Sequence, residues 1–355
     1  MNHFAAIQAK LDEYGLDAML VTSPSNRKYT TDFASSAGMA LVTKDDAYFF
    51  IDSRYIEAAK KNIRGAKVDM VDIQRAYDAK LNELIDRLGL KALGIEEEAM
   101  SLGEYRSWEK KLHGELKPAQ KLFTDLRTVK DQEELDALIR AQRIAEKALA
   151  QVLGIIKPGM TERQVAAELI YRMLREGADG VSFEPIVVTG VKSSMPHGVP
   201  GDVEIKTGDF LTMDFGCRLG GYCSDMTRTV FLGEPEGDMA CAWDTMRRAN
   251  EAVESMLKPG VTGAEAHALA EQVLEEGGFG GCMGHGLGHG VGIDVHELPN
   301  LNPRNETALV EGNVVTVEPG IYLPGRFGMR LEDFGVITAT GFEVFTQTSH
   351  EPVVL

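Results

Sequence analysis

The chain has 355 residues, 44% of them hydrophobic, which is enough to form the cores of two domains of ordinary size. Its formal net charge of −17, from 54 acidic residues against 37 lysines and arginines, argues against nucleic acid and against an anionic membrane as partners. The sequence shows no signal-peptide pattern, no long apolar run and no disulfide framework. We therefore expect a soluble, cytoplasmic protein.

The first part of the chain alternates between helix and strand patterns. An amphipathic opening segment precedes the apolar run "AMLVTS", and the stretch "PSNRKYTTDFASSAG" is predicted to be a loop. The runs "MALVT" and "YFFIDSRY" then lie on either side of the turn "KDDA". This pattern predicts an α/β domain over residues 1–124.

A long, charged, amphipathic helix is predicted from the segment "KDQEELDALIRAQRIAEKALAQVL". Asp131 has Glu134 three residues further on, which is the spacing of a capping box at a helix N-terminus. We interpret this helix as the start of a second domain, over residues 125–355.

The second domain contains an internal repeat of about 100 residues. The segment "IKPGMTERQVAAEL" at 156–169 matches "LKPGVTGAEAHALA" at 257–270, and "GDFLTMDFG" matches "GNVVTVEPG". Between these segments, "HGVP" matches "HELP", so that His197 corresponds to His296 and Asp214 to Glu318. Two halves packed about a pseudo-twofold axis would bring both acidic residues to the centre of the domain.

Each of these acidic residues is followed, after a tight turn, by a second one. A hairpin turning near Leu219 and Gly220 would place Asp214 opposite Asp225, and one centred on Gly325 would place Glu318 opposite Glu332. Like charges that face each other on a hairpin are destabilising. Four converging carboxylates therefore predict bound cations.

The segment "GHGLGHGVGIDVHE", residues 284–297, carries three histidines among alternating glycines. Glycine at every second position disfavours a helix, so we predict an extended chain with His285 and His289 on one face and a close neighbour against the glycine face. One imidazole, from His289, with four carboxylates makes an oxygen-rich site for two metal ions, which suits Mn²⁺. Such a site favours hydrolysis at a carbonyl, with His197 and His296 hydrogen-bonding the substrate and the tetrahedral intermediate.

These blocks resemble the pita-bread metallopeptidases, the group that contains methionine aminopeptidase, Xaa-Pro aminopeptidase (aminopeptidase P) and Xaa-Pro dipeptidase (prolidase). The resemblance covers nearly the whole chain and rests on five blocks in the family's order: "PHGVP", "TMDFGCRLGGYCSDMTRT", "GHGLGHGVGIDVHE", "VTVEPGIY" and "MRLED". It implies a creatinase-like α/β N-terminal domain followed by a pita-bread domain, an α/β (α+β) fold overall.

The resemblance also implies roles for individual residues. The family's metal ligands correspond to Asp214, Asp225, His289, Glu318 and Glu332. Its catalytic groups correspond to His197, His296 and Glu318, and its substrate-binding groups to His285, Tyr322 and Arg330, while Thr227 and Arg330 would support the ligands. Two divalent ions are implied, Mn²⁺ first and Co²⁺ or Zn²⁺ as alternatives. A homodimer acting on short proline-containing peptides is implied as well.

Two activities within this family remain open from the sequence. The presence of an N-terminal domain excludes a plain methionine aminopeptidase, and "SPSNRKYTTDF" and "FIDSRYIEAA" resemble aminopeptidase P, whereas "SFEPIVVTG" is equally typical of prolidases. We therefore predict an Xaa-Pro aminopeptidase, with an Xaa-Pro dipeptidase as the alternative. A binding module of the same fold that has lost its metals is a third hypothesis, but it should show substituted ligands, and this sequence shows none.

Overall fold

The computed structural model describes residues 2–74, 76–235 and 237–355. The chain forms two compact units, one ending at Arg127 and the other comprising Thr128–Leu355. The predicted boundary after residue 124 falls inside a helix, Gln120–Thr128, at the end of the first unit. Among the described residues, no helix is long and apolar enough to cross a membrane.

The first unit is built on a mixed sheet with the strand order β4-β3-β2-β1-β5-β6. Its strands are β1 (Ala18–Val21), β2 (Met39–Thr43), β3 (Ala47–Ile51), β4 (Lys67–Met70), β5 (Ala92–Ile95) and β6 (Glu115–Pro118). Its helices are α1 (Phe4–Lys10), α2 (Pro24–Thr31), α3 (Ile56–Asn62), α4 (Tyr77–Leu88), α5 (Leu102–Lys111) and α6 (Gln120–Thr128). Strands β1, β2 and β3 are buried along their whole length, as their continuous apolar runs predict. The predicted α/β character is confirmed.

The stretch predicted to be a loop in this unit begins instead with helix α2. Ser23 accepts a hydrogen bond from the backbone N–H of Asn26, and Pro24 stands in the first turn, two features that favour a helix start. The side chain of Arg27 is buried and donates to the carbonyl of Ser35 at 2.8 Å. The loop prediction was wrong because it took polar residues for solvated ones, whereas here they are buried with hydrogen-bond partners.

Among the described residues, the second unit has four α-helices, two in each repeat. They are α7 (Gln132–Leu153), α8 (Glu162–Arg175), α9 (Asp238–Met256) and α10 (Gly263–Glu276), with a 3₁₀ turn at Gly190–Ser194. The strands of the first repeat are β7 (Gly180–Val181), β8 (Ile186–Thr189), β9 (Phe210–Phe215), β10 (Cys217–Leu219), β11 (Tyr222–Cys223) and β12 (Met226–Phe231). Those that follow are β13 (Gly288–Gly290), β14 (Glu297–Leu301), β15 (Val314–Val317), β16 (Gly320–Leu323), β17 (Phe327–Arg330), β18 (Asp333–Ile337), β19 (Phe342–Val344) and β20 (Val353–Val354).

The predicted repeat is visible in the order of these elements. Helices α8 and α10 both start at a threonine whose hydroxyl and a partner three residues on form a capping box, Thr161 with Gln164 and Thr262 with Glu265. The long helix α7 has the capping box predicted at Asp131. Each helix pair is followed by its own sheet, β12-β9-β8 in the first half, with the C-terminal strand β20 added beside β12, and β14-β13-β15-β18-β19 in the second.

The two larger sheets of the second unit meet at strand β12. The backbone N–H of Glu332 donates to the carbonyl of Thr227 at 3.2 Å, which forms an isolated antiparallel bridge between the halves. Two residues further along, the hydroxyl of Thr229 donates to the carbonyl of Arg330 at 3.0 Å. These contacts hold the acid-bearing strands of both halves side by side.

Candidate metal centre

The first pair of acids lies on the hairpin formed by β9 to β12, in a register that differs from the predicted one. Thr227, not Asp225, lies opposite Asp214. The turn consists of Gly220 and Gly221, both with positive φ, and the prediction had centred it one position earlier. Asp225 falls in the break between β11 and β12, and its carboxylate still lines the same cavity as Asp214.

The second pair of acids has the predicted register. The ladders on either side of the pair, β15 with β18 and β16 with β17, continue one register that sets Glu318 opposite Glu332. Gly325 lies in the turn with φ of 75°. At the pair itself the ladder opens, and the backbone N–H of Glu318 donates instead to the carbonyl of Leu287 at 2.9 Å. Both carboxylates line the cavity.

The histidine-rich segment is extended only at its centre, in β13. The prediction of a longer extended chain is wrong on both sides of β13, because bends lie at His285 and Leu287 before it and over residues 292–296 after it. At Gly288 and Gly290 the close neighbours expected on the glycine face are present. A Cβ atom on Gly288 would lie 2.1 Å from the carbonyl oxygen of Thr316, and one on Gly290 would lie 2.5 Å from that of Leu298. Glycine therefore lets this strand fit between β14 and β15 and brings the backbone of His289 to the centre.

His289 presents one ring nitrogen to the acids. Its Nδ1 lies 3.1 Å from the carbonyl oxygen of Gly290, to which it donates. Its Nε2 lies 3.4 Å from Oε1 of Glu318 and 3.6 Å from Oδ2 of Asp225. The backbone hydrogen bond thus fixes the tautomer that leaves Nε2 free to bind a metal.

The carboxylates destabilise one another's charged forms. Burial, together with the carboxylates of Glu332 and Asp214, raises the pKa of Asp225 well above its usual range. Burial and the neighbouring Glu318 do the same to the pKa of Glu332. Burial raises the pKa of Glu318 to about 8, although Arg330 acts in the opposite direction. Such a cluster requires either protons or cations to be stable.

The donor atoms fit divalent metal ions. Ligand atoms of Asp225, His289 and Glu332 all lie within 4.8 Å of one another. The Oδ1 atoms of Asp214 and Asp225 are buried and accept no hydrogen bond from any described residue. Buried carboxylate oxygens without a donor are rare unless something else binds them, and four carboxylates with one imidazole are the donor set that hard or borderline cations prefer.

Arg330 joins the two halves of the acid cluster. Its guanidinium donates to Oδ2 of Asp214, to the hydroxyl of Thr227 at 3.0 Å and to the hydroxyl of Tyr322 at 2.6 Å. The Thr227 hydroxyl in turn donates to Oε2 of Glu332 at 2.7 Å. Burial alone would lower the pKa of Arg330, but Tyr322 and Asp214 raise it above its usual range. Arg330 therefore holds one oxygen of Asp214 in place, and Thr227 holds one oxygen of Glu332.

Three further histidines of the candidate site, His197, His285 and His296, line a cavity of about 590 Å³ together with the acids. The rings of His289 and His296 are in contact, with centroids 4.2 Å apart. Burial and the adjacent His289 lower the pKa of His296, and burial lowers that of His285 to about 4. His285 and His296 are therefore neutral at pH 7 and can donate and accept hydrogen bonds.

Tyr322, which the resemblance assigns to substrate binding, lies against His285. Among the described residues, it is not part of the cavity lining, and it is only 8% exposed. Its hydroxyl accepts from Arg330 and lies 3.3 Å from Nε2 of His285. Tyr322 thus lies behind His285. Its hydroxyl, held by Arg330, helps to fix the orientation of the His285 ring.

Thr316 belongs to the site although the sequence analysis did not select it. Its hydroxyl accepts from the backbone N–H of His289 at 3.0 Å and donates to Oε1 of Glu318 at 3.3 Å. The internal repeat contained the signal, since it aligns Thr316 with Thr212 two positions before each acid. Residues two apart on a strand share a face, so the threonine had to lie beside the carboxylate.

Comparisons with known proteins agree with this geometry. The model of metallopeptidase family M24 matches residues 136–339, and that of the creatinase/prolidase N-terminal domain matches residues 4–129. An uncharacterized peptidase, YqhT, of Bacillus subtilis (strain 168) is 40% identical over 97% of each chain.

Two solved structures are similar along almost their full length. The Xaa-Pro dipeptidase from Bacillus anthracis superimposes with a TM-score of 0.95 at 36% identity, covering 99% of both chains. The X-Pro aminopeptidase from Thermotoga maritima MSB8 superimposes with a TM-score of 0.93 at 33% identity, covering 98% of this chain and 100% of the other. With a family model matching more than half of its length and relatives this similar, the chain belongs to metallopeptidase family M24.

Proposed function

We propose that this metallopeptidase is a dinuclear exopeptidase that hydrolyses the bond between an N-terminal residue and proline in short peptides. The observation that supports this most directly is the cluster of four carboxylates and His289 in the wall of an open cavity, with buried carboxylate oxygens that no described residue satisfies. The ligands would be Asp214, Asp225, His289, Glu318 and Glu332. Two cations there would acidify a water molecule and polarise the scissile carbonyl.

Oxygen donors with a single imidazole favour Mn²⁺ in this proposal. Zn²⁺ sites in proteins are rich in thiolate and imidazole, and none of the cysteines lines this cavity among the described residues. Co²⁺ and Zn²⁺ remain the alternatives that a reconstitution series would compare.

Glu318 would move the proton. It accepts a proton from the attacking water as the new carbon–oxygen bond forms, and it delivers that proton to the proline nitrogen as the carbon–nitrogen bond breaks. The side chains of His197 and His296 line the same cavity, from the two halves of the repeat. They would hydrogen-bond the carbonyl oxygen as it becomes an oxyanion.

Specificity for proline has a physical basis in this cavity. An Xaa-Pro bond lacks an N–H and has a fixed φ, so a peptidase must recognise the ring and not a backbone donor. We assign His285 to the ring, because it lines the cavity and its own orientation is fixed by the carbonyl of Gly286 at 2.7 Å and by Tyr322.

The charges in the cavity favour an aminopeptidase over a dipeptidase. A dipeptidase must bind the free carboxylate that follows proline. Among the described lining residues, Arg330 is the one lysine or arginine, and its guanidinium is bonded to Asp214, Thr227 and Tyr322. The dipeptidase remains the second candidate, because the similar Bacillus anthracis structure is named an Xaa-Pro dipeptidase.

One assay separates these two activities. The Mn²⁺-loaded enzyme is incubated with Gly-Pro and with Gly-Pro-Ala, and release of glycine is followed in both cases. We expect the tripeptide to be the better substrate by kcat/KM. Cleavage of Gly-Pro alone would establish the dipeptidase, and failure to cleave either would contradict an Xaa-Pro peptidase.

A homodimer is also part of the proposal, because the resemblance implies one. The polar segment "SNRKYTTDF" gives it no separate support, since it includes helix α2, in which Asn26, Tyr29 and Thr30 are buried within the first unit.

A further inference from the structure

A buried carboxylate outside the acid cluster holds the loop that carries His197. Glu162, at the start of α8, has no exposed surface. Its Oε1 accepts from the backbone N–H of Thr189 at 3.0 Å, and its Oε2 accepts from that of Gly201 at 2.9 Å. These two residues stand at opposite ends of the segment 190–200, here named the His197 loop. One side chain therefore closes the loop at its base.

Lys192 extends this contact into the loop. Its Nζ donates to Oε2 of Glu162 at 2.5 Å and to the carbonyl oxygen of Val199 at 2.6 Å. Val199 is two residues after His197, and the intervening Gly198 packs so closely on β8 that a Cβ there would lie 2.6 Å from Cγ1 of Val188. The backbone on both sides of His197 is thus fixed to Glu162, directly or through Lys192.

We propose that the Glu162–Lys192 pair is a positioning device that holds His197 where it can hydrogen-bond the reacting carbonyl. This inference rests on the proposed function, since it assigns the pair to the work of His197. Neither residue touches the acid cluster. Their effect is on the orientation of one rim histidine, and a displacement of about 1 Å of such a group can cost up to about 10²-fold in rate.

In the other half of the repeat, the loop next to His296 is held without an ion pair. Gly263 stands at the position that corresponds to Glu162, and a Cβ there would lie 2.3 Å from the carbonyl oxygen of Asn300. That carbonyl accepts from Nδ2 of Asn305 at 2.7 Å, and the backbone N–H of Ala264 donates to the carbonyl of Asn305 at 2.9 Å. The loop after His296 is held by direct backbone packing, so loss of the ion pair affects only His197.

The test is a Lys192→Met variant of the full-length, Mn²⁺-loaded enzyme, assayed on Gly-Pro-Ala. We expect kcat to fall by about 10- to 100-fold with little change in KM, because an oxyanion hydrogen bond acts mainly in the transition state. Manganese content should remain at the wild-type level, since no ligand lies on the His197 loop. Lys192→Arg keeps the pair and should restore most of the lost kcat.

Arg163→Met is the matched control. Arg163 is the next residue along α8 and forms an ion pair with Asp202, just after the same loop, at 3.1 Å, but both side chains are largely exposed. Exposed pairs contribute little, so this variant should keep wild-type kcat. A comparable loss in Arg163→Met would show a general effect of charge removal and would overturn the proposal.

A double-mutant cycle identifies the histidine through which the pair acts. In a His197→Ala background, Lys192→Met should lower kcat by less than about twofold, because the group being positioned is gone. Wild-type kcat in Lys192→Met, or an equal loss in both backgrounds, would overturn the inference.

Two further outcomes are distinguished by the same series. If Lys192→Met does not fold, the variant Glu162→Gln/Lys192→Met, which leaves no unpaired buried charge, replaces it with the same expected loss of kcat. If the wild type and Arg163→Met both fail to cleave the peptide, the proposed function is wrong and this inference falls with it.

Discussion

We expect His285, His289 and His296 to have different roles, although all three belong to one short segment of the chain. His289 aims Nε2 at Glu318 and Asp225, so His289→Ala should lose at least one of two metal equivalents. His296→Ala should keep both metals and lose about 10²- to 10³-fold in kcat, the usual loss for one oxyanion donor. His285→Ala should mainly raise KM. Metal analysis and steady-state kinetics on the three variants check these assignments.

The rings of His289 and His296 are in contact, so each alanine variant also changes the surroundings of the other histidine. Their centroids are 4.2 Å apart, so removal of one ring leaves space beside the other. Metal loss in His296→Ala together with two retained equivalents in His289→Ala would reverse the assignment.

Glu318 should be needed for turnover even where metal is bound. Its side chain combines a position beside His289 with a raised pKa, and the Thr316 hydroxyl orients one of its oxygens. Glu318→Gln keeps the shape and one acceptor oxygen but cannot carry a proton, so we expect kcat to fall by at least about 10²-fold. Near-normal kcat in a metal-replete sample would exclude the proton-transfer role.

Helix α9 and strand β18 share a buried ionic cluster that should make stability depend on pH. Burial and the nearby Asp333 raise the pKa of Glu254 to about 8, from an ordinary value of 4.5. The folded protein therefore keeps this proton where the unfolded chain has lost it. The free energy of unfolding should then fall as pH rises between about 4.5 and 8. Glu254→Gln removes this contribution.

Denaturant unfolding of the wild type and of Glu254→Gln at several pH values between 5 and 8.5 tests this point, and the difference between the two proteins isolates Glu254. His350 also has a raised pKa, through Asp333 and against its burial, and it acts in the same direction. The variant should thus show a smaller slope, not a zero slope. Equal slopes would contradict the prediction.

Of the two hairpin registers predicted from the sequence, one is correct and one is wrong. The repeat, the helix caps and the Glu318–Glu332 register follow from local patterns, and all are present. The Asp214 register was wrong because it depends on which two residues make a turn, and a shift of one position in the turn centre moves the pairing by two residues. Hydrophobic alternation is unchanged by such a shift, so it could not reveal the error.

The sequence also could not predict how deeply individual polar side chains are buried. The positions of Tyr322 behind His285 and of Lys192 on Glu162 depend on contacts between residues 30 or more positions apart. Neither residue has a local pattern that distinguishes a buried partner from a solvated one. The repeat could supply such contacts only where both halves use the same residue, as at Thr212 and Thr316, and it could not where Glu162 corresponds to Gly263.

The oligomeric state is a prediction for the whole molecule. We expect the homodimer that the family resemblance implies, and sedimentation velocity of the full chain at micromolar concentration would show it. A fully active monomer would contradict the prediction.

The bridge between Thr227 and Glu332 has a consequence for how the second unit unfolds. Of the proposed ligands, Asp214 and Asp225 come from one half of the repeat and His289, Glu318 and Glu332 from the other, so each half alone would be an incomplete chelator. A cation bound by these proposed ligands would then be a reversible cross-link between the two halves. At a free concentration 100 times its dissociation constant, an ion that binds only the folded state adds about 2.7 kcal/mol to the free energy of unfolding. Chelation should therefore lower the melting temperature of the second unit, and calorimetry at graded Mn²⁺ concentrations would titrate the strength of that cross-link; a transition unaffected by metal would mean that the two halves are held together by their packing alone.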